Sequence, residues 1–363
     1  MADFYIGIMS GTSLDGVDAV LATPRGGQFR LVSSVHRPYP AKLRSRLLAL
    51  QETGHDELHE AALVSNELSV AYADAVRRLL ARARASARAV AAIGCHGQTV
   101  RHRPKAGYTL QLANGALLAE LSGIPVVCDF RSRDVAAGGE GAPLVPAFHR
   151  AAFHSTRRAR AIVNVGGISN ITWLPARGPV IGFDCGPGNC LLDAWILERR
   201  RKRFDRDGAW AASGRVIPRL LRKLIAHPFI RRRPPKSTGR DEFSLRWLKR
   251  VLSGNEHAAD VQATLLELTA STIARALLAH CAGARDIYVC GGGARNRALL
   301  ARLAALLPGK RIATTAALAV APEHVEALAF AWLARRALGG EPGNLPLVTG
   351  AKGPRVLGAI YPA

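Results

Sequence analysis

Two kinds of apolar pattern alternate along the chain, and their order occurs twice. Phe4 to Ser10 and Val17 to Ala22 are short apolar runs joined by Gly11-Thr-Ser-Leu-Asp-Gly16, the mark of two strands and a turn, and Phe29 to Val35 adds a third strand. Helical spacing follows over Ala41 to Glu52 and over Asp56 to about Arg84, with Leu63, Leu68, Ala71, Ala75 and Leu79 on one face of the second. Val90 to Gly94 is a strand that ends at Cys95-His-Gly-Gln-Thr-Val100. Tyr108 to Leu112 reads as a further strand, Asn114 to Leu121 as a helix, and Pro125 to Cys128 as a strand running into Asp129-Phe-Arg-Ser-Arg-Asp134. Gly138-Gly-Glu-Gly141 breaks the pattern, and Pro143 to Phe153 is helical.

The pattern then restarts. Ala161 to Val165, the turn Gly166 to Asn170, and Ile171 to Leu174 form a second opening hairpin, with Val180 to Phe183 as its third strand. Helices begin at Asn189, Ile217, Ser244 and Ala259. Asp286 to Cys290 is a strand leading through Gly291-Gly-Gly-Ala-Arg-Asn296 into a helix that reaches Leu307. Arg311 to Ala316 is a strand, Glu323 to Leu338 a helix, and Val356 to Tyr361 a closing strand. Each half therefore opens with three short strands and then alternates helix and strand. Two α/β halves imply a cleft between them for a large ligand. The expected division is residues 1–140, with a strand at about 350–363 returning to them, and residues 141–349.

The stretch Val180-Ile-Gly-Phe-Asp-Cys-Gly-Pro-Gly-Asn-Cys-Leu-Leu192 delivers Asp184 to a strand end, then a glycine turn, then a helix that Asn189 is expected to cap. Free N–H groups and a helix dipole converge at such a place, which makes it an anion site. A capped turn with a solvated Asp would look the same in isolation. Two more glycine turns of this kind, Gly11 to Gly16 and Gly291 to Gly293, change the weighing.

At 363 residues the chain can bury a sizeable core, and 48% hydrophobic content is ordinary for a globular protein. The apolar runs are broken well short of a membrane span, and the N-terminus lacks a signal-peptide pattern. Six cysteines without ligand spacing read as reduced thiols, so a cytoplasmic protein with no membrane partner is expected. Fifty Lys and Arg against 27 Asp and Glu give a net charge of +23, a balance that nucleic-acid binders share. The arginines are nevertheless spread over helices, and the tight runs Arg199 to Arg203 and Arg231 to Arg233 carry no interleaved aromatics. Solvated helix faces and no nucleic-acid partner are the expectation; a homodimer is compatible with the sequence.

Backbone N–H groups can cradle phosphates only in turns without bulky Cβ atoms. Gly11 to Gly16, Gly186 to Asn189 and Gly291 to Gly293 qualify, although none fits the GxxxxGK[ST] or GxGxxG patterns. The first turn adds the Thr12 and Ser13 hydroxyls and the Asp15 carboxylate, with Asp18 just beyond; carboxylates of this kind hold Mg²⁺. Asp184 is the candidate to accept a proton from a nucleophile. Thr and Asp are common in hairpins and GGG is a common helix entry, but two hairpin-led halves carrying three glycine turns favour phosphoryl transfer.

The layout resembles the actin/hexokinase-like sugar kinases, α/β proteins of two ribonuclease-H-like domains. More closely, the chain resembles the anhydro-N-acetylmuramic acid kinases of bacterial cell-wall recycling. The likeness runs nearly end to end: Gly11-Thr-Ser-Leu-Asp-Gly-Val-Asp18, His96-Gly-Gln-Thr-Val100, Asp129-Phe-Arg131, Ala136-Ala-Gly-Gly-Glu-Gly-Ala-Pro143 and Asn164-Val-Gly-Gly-Ile-Ser-Asn170. It continues through Gly182-Phe-Asp-Cys-Gly-Pro-Gly-Asn189, Lys236-Ser-Thr-Gly-Arg240, Gly291-Gly-Gly-Ala-Arg-Asn296 and Glu326-Ala-Leu-Ala-Phe-Ala-Trp332. Cys185 stands where Thr is expected and Glu140 where Gln is expected.

This resemblance implies ATP- and Mg²⁺-dependent phosphorylation of the 6-oxygen of 1,6-anhydro-N-acetylmuramic acid while water opens the anhydro ring, giving N-acetylmuramic acid 6-phosphate. Asp184 matches the general base. The nucleotide side would be Gly11, Thr12, Ser13, Leu14, Asp15, Gly16, Val17, Asp18, Gly186, Gly188, Asn189, Gly291, Gly292 and Gly293, with Asp15 and Asp18 toward the metal. His96, Gln98, Thr99, Arg131 and Glu326 would meet the amino sugar. Its lactyl carboxylate requires a cation, for which Arg131 is the candidate, against an internal pairing with Asp129 or Asp134. A kinase of another sugar and a non-catalytic binding protein of the same fold are the competing readings.

Overall fold

The structure is a computed structural model that describes residues 4–11, 14–25, 28–239 and 242–363. Chain contacts divide it into two units, Met1–Ala152 with His324–Ala363, and Phe153–Glu323.

The first unit is built on a six-stranded sheet. β1 (Phe4–Met9), β2 (Gly16–Arg25) and β3 (Gln28–Pro38) form an antiparallel meander, and β4 (Val90–Cys95) joins the open side of β1 in parallel. β5 (Gln98–Arg103) and β6 (Tyr108–Leu112) leave the sheet as a separate hairpin. β7 (Val126–Cys128) lies parallel to β4, and the closing strand Ala359–Tyr361 pairs antiparallel with β7 at the edge.

Alternation along the strands sorts residues to the two faces. Ile6, Ile8, Ile93 and Cys95 point into a core with Leu43, Leu47, Val64, Leu68, Tyr72 and Leu79 from helices Ala41–Ala49 and Glu57–Ala83. The intervening Gly7 and Gly94 face the other way, against helix Val325–Leu338. A Cβ at Gly94 would lie 2.0 Å from the Phe330 carbonyl oxygen, and one at Gly7 would lie 1.8 Å from that of Ala327. The helix backbone thus rests directly on the sheet, and residues 141–152 and 324–349, expected with the second half, group with the first unit. The apolar face of the helix (Leu328, Ala331, Ala334) has its matching flat surface there.

The second unit repeats the strand order. β8 (Arg160–Val165), β9 (Ile168–Leu174) and β10 (Ile181–Pro187) form the antiparallel meander, while β11 (Asp286–Cys290) and β12 (Arg311–Thr314) continue in parallel from β8. Its sheet packs Val163, Phe183, Ile287 and Val289 against Ile273 and Leu277 of helix Ala258–His280 and Leu299 and Leu303 of helix Arg297–Leu306. A second cluster, around Trp195, Phe229, Phe243, Leu248 and Leu265, ties the inserted helices to one another. In both units the main strands run third, second, first, fourth, fifth, with the same parallel and antiparallel senses. This is the ribonuclease-H-like arrangement. No helix among the described residues is long and apolar enough to cross a membrane.

Candidate active site

In the second unit the sequence-predicted residues gather at the ends of β8, β10 and β11. Asp184 is buried on β10, and a bulge between Asp184 and Gly186 interrupts the pairing with β9. The loop at Lys236 closes over it. The Asp184 amide donates to the Lys236 carbonyl at 3.0 Å, while carboxylate Oδ2 accepts from the Ser237 hydroxyl at 3.1 Å and from the Thr238 amide at 2.9 Å. Among the described residues no donor meets Oδ1. Burial pushes the carboxyl up from 3.8 to about 6, against the lowering effect of Thr238, Ser237 and Lys236. Lys236 itself donates to the Phe229 and Ile230 carbonyls, each at 3.2 Å, and lies over the Phe229 ring. Ser237 and Thr238 were not in the expected site. They belong to a quoted motif whose role only the fold reveals, because Thr238 acts through its main chain.

The glycine turns converge on the same strand ends. A Cβ on Gly188 would come 2.4 Å from the Gly166 carbonyl oxygen. Gly291 has φ +77°, and a side chain there would also strike Asn164 at 2.3 Å. Gly292 lies beside the Asn189 side chain. Two expectations are corrected. Asn189 does not cap its helix: its side-chain amide donates to the Val165 carbonyl at 3.1 Å, which ties β8 to the turn. The amides of Gly188, Asn189 and Cys190 are not free for an anion, because they donate to the Gly167, Gly166 and Gly167 carbonyls at 2.9, 2.8 and 3.1 Å. Cys185 is packed in the core, its thiol donating to the Ser169 carbonyl at 3.2 Å.

In the first unit, the predicted sugar residues form a linked polar set. His96 is buried, and its Nδ1 faces the Ser10 carbonyl at 3.2 Å. Its Nε2 receives the Arg131 guanidinium through Nε at 3.2 Å and Nη2 at 2.9 Å. Burial, then the Arg131 charge, drives His96 down to about 3, so the ring is neutral and accepts from Arg131. Arg131 also donates to the Gly141 carbonyl at 2.7 Å, and burial lowers it to about 10 while Glu326 and Asp134 oppose the shift. Glu326, in the first turn of helix Val325–Leu338, is thus within electrostatic reach of Arg131. Phe330, one turn on, packs against the His96 ring at 4.7 Å.

Asp134 is otherwise engaged: Asn344 and Thr349 donate to one oxygen at 2.7 and 2.8 Å, and the Gly141 amide to the other at 2.9 Å. Asp129 accepts from Ser132. Glu140 is exposed and its amide donates to the Thr349 carbonyl.

Gln98 donates to the Gly11 carbonyl at 3.2 Å, and Thr99 accepts from Gln111 at 3.2 Å. Thr12 and Ser13 lie outside the described residues. Leu14 and Val17, expected at the nucleotide, bury their side chains in the core, as apolar residues at a hairpin base do. Gly16 approaches β3, where a Cβ would lie 2.2 Å from the Arg37 carbonyl oxygen. Asp15 is exposed; Asp18 is half exposed and meets His36 Nδ1 at 2.8 Å. No group of three or more His, Cys, Asp or Glu among the described residues could hold a metal ion. The two carboxylates are hard oxygen donors of the type Mg²⁺ prefers.

Arg199 and Arg200 lie over the Trp195 and Trp210 rings, at 4.3 and 4.7 Å. The run Arg231 to Arg233 leads directly into the loop that holds Asp184.

A sheet order repeated in both units, with glycine turns and a buried carboxylate at strand ends, is the architecture of the actin/hexokinase-like class. The family model for anhydro-N-acetylmuramic acid kinase matches residues 3–363. Similar proteins of that name come from Nitrosospira multiformis, 56% identical with both chains fully covered, and Nitrosomonas europaea, 55% identical over 99% of this chain and 100% of the other. The chain belongs to the anhydro-N-acetylmuramic acid kinase family. Among solved structures, component A of (R)-2-hydroxyglutaryl-CoA dehydratase from Acidaminococcus fermentans is 14% identical at a TM-score of 0.48, covering 90% of this chain and 95% of that one. A ROK family glucokinase from Streptomyces griseus in complex with glucose and AMPPNP is 14% identical at a TM-score of 0.41, covering 92% and 99%.

Proposed function

We propose that the chain uses ATP to phosphorylate the 6-oxygen of 1,6-anhydro-N-acetylmuramic acid, in the cytoplasm, as a step of peptidoglycan recycling. The γ-phosphoryl group passes to O6, the bond from C1 to O6 breaks, and water supplies hydroxyl to C1. Asp184 takes the proton of that water, and the products are ADP and N-acetylmuramic acid 6-phosphate. With Oδ2 held by Ser237 and Thr238, Oδ1 is the accepting oxygen. The observation that carries this assignment is the buried, doubly held Asp184 carboxylate, whose raised proton affinity suits a base working near neutral pH.

Gly11 to Gly16 in the first unit is a candidate to receive phosphates, and in the second unit the Gly291 to Gly293 turn is the other. Gly186, Gly188 and Asn189 shape the second of these without their amides binding the anion. Mg²⁺, held by Asp15 and Asp18, would neutralise charge on the transferring phosphoryl group. Arg131, oriented by neutral His96, faces the lactyl carboxylate, and Glu326, Gln98 and Thr99 complete the sugar side.

Turnover of ATP with the anhydro sugar by Asp184→Asn tests the base. The exchange conserves size and removes basicity, so kcat is expected to fall about a hundredfold to ten-thousandfold with nucleotide binding retained. A rate within a few-fold of the unmodified protein would exclude Asp184 as the base.

A further inference from the structure

The loop that holds Asp184 is itself fixed by a side chain that plays no part in the chemistry above. Thr238 reaches Asp184 through its amide, and its hydroxyl turns the opposite way to donate to Glu242 Oε2 at 2.5 Å. Glu242 closes the loop a second time, its own amide donating to the Gly239 carbonyl at 3.3 Å. The next residue, Phe243, anchors this end in the core, tilted against the His227 ring at 4.8 Å and edge-to-face with Trp247 at 5.6 Å. At the other end, Lys236 is tied to the Phe229 and Ile230 carbonyls. A peptide pinned on both sides holds its N–H where the carboxylate needs it, without reorganisation during the reaction.

We propose that Glu242 is a positioning residue for the general base: by accepting the Thr238 hydroxyl, it fixes the peptide whose N–H occupies Asp184 Oδ2 and so reserves Oδ1 for the proton of the attacking water. The inference rests on Asp184 being the base. Without Glu242, Thr238 can rotate its hydroxyl toward other acceptors, and its amide loosens from Oδ2.

Loss of that donor disfavours the carboxylate and raises the proton affinity of Asp184, so the acid limb of the rate profile moves to higher pH. Among the described residues, the other titratable groups around Asp184 are Lys236 on the same loop and Cys185 next to it on β10. Helix Ala258–His280 presents uncharged Thr272 to the bulge, with His280 nearer Lys236, and His227 lies 4.0 Å from Glu242. Glu242→Ala and Glu242→Gln also remove the charge that faces His227, whereas Thr238→Val leaves that pair in place and so isolates the contact to the loop.

The test is the pH dependence of kcat/KM for the anhydro sugar in Glu242→Ala, Glu242→Gln, Thr238→Val and the Glu242→Ala/Thr238→Val double variant. Glu242→Ala and Thr238→Val are each expected to lower kcat about tenfold, the equivalent of one hydrogen bond to a charged group, with KM for ATP unchanged. Both should move the acid limb up by about one pH unit. The double variant should be no worse than either single one, because both remove the same contact. Glu242→Gln, which keeps an acceptor oxygen, should restore most of the loss. An unmoved acid limb in a folded Glu242→Ala or Thr238→Val, or additive losses, overturns the proposal. If Glu242→Ala does not fold, Thr238→Val decides. An active Asp184→Asn would instead overturn the base assignment, whatever Glu242 does.

Discussion

The cost of holding Asp184 ready as a base should be visible in stability. Folding raises this carboxyl from 3.8 to about 6, chiefly by burial. That rise corresponds to about 3 kcal/mol, at about 1.36 kcal/mol for each tenfold change in proton affinity. The sign follows from proton binding. Between the two values the native state holds more protons than the unfolded chain, so the stability of the protein falls as pH rises from about 4 through about 6. Above that window the full penalty applies.

Asp184→Asn removes the charge and keeps an oxygen that can accept from Ser237 and Thr238. Its new N–H groups need partners in a buried place, which returns about 1 kcal/mol of the gain. The variant should therefore be about 2 kcal/mol more stable than the unmodified protein at pH 8, and the advantage should shrink as pH falls, turning into a deficit of up to about 1 kcal/mol below about pH 4, where the Asp184 penalty is lost. Urea unfolding of both proteins at several pH values, followed by the fluorescence of the tryptophans, reads this directly. Three of the five tryptophans, Trp195, Trp210 and Trp247, lie with the second unit's helical cluster. A variant less stable at every pH, or an advantage independent of pH, would refute the reasoning that burial sets the proton affinity of this group.

Two further outcomes are expected. Arg131→Ala should raise the KM for the anhydro sugar at least tenfold while leaving the KM for ATP within about twofold, since a cation facing a carboxylate is lost; equal changes in both constants would remove Arg131 from the sugar side. Gly94→Ala should destabilise the first unit by about 1–3 kcal/mol or more, because its Cβ would enter the Phe330 carbonyl at 2.0 Å, and thermal unfolding that shows no loss would mean the helix can retreat from the sheet at little cost.

Much of the architecture is legible in the sequence because the strands are short, apolar and separated by turn residues, and their order is the same in both halves. Asp184 is legible for the same reason: it ends a strand before glycines. Contacts made by main-chain atoms are not. The Thr238 amide has no sequence signature, and the carbonyls of Gly166 and Gly167 that take the amides of residues 188–190 have none either. Asn189 reads as a cap from its type and position, yet its amide reaches across to Val165 on a strand that sequence proximity does not reveal. Leu14 and Val17 fall inside a turn motif, where the motif conceals that their side chains complete a core. Helix Val325–Leu338 follows β12 in sequence, and only the bare glycines of β1 and β4 explain why it lies on the other sheet.

That last arrangement bears on how the chain is made. The central unit is continuous, so a polypeptide growing from the ribosome holds every residue of Phe153–Glu323 before the last part of the first unit exists. The opening sheet emerges first but waits for Ala327 and Phe330 to cover Gly7 and Gly94, more than two hundred residues of translation later. Until then one face of the earliest-made strands is open to water and to other nascent chains, and a product cut short before residue 324 keeps it so.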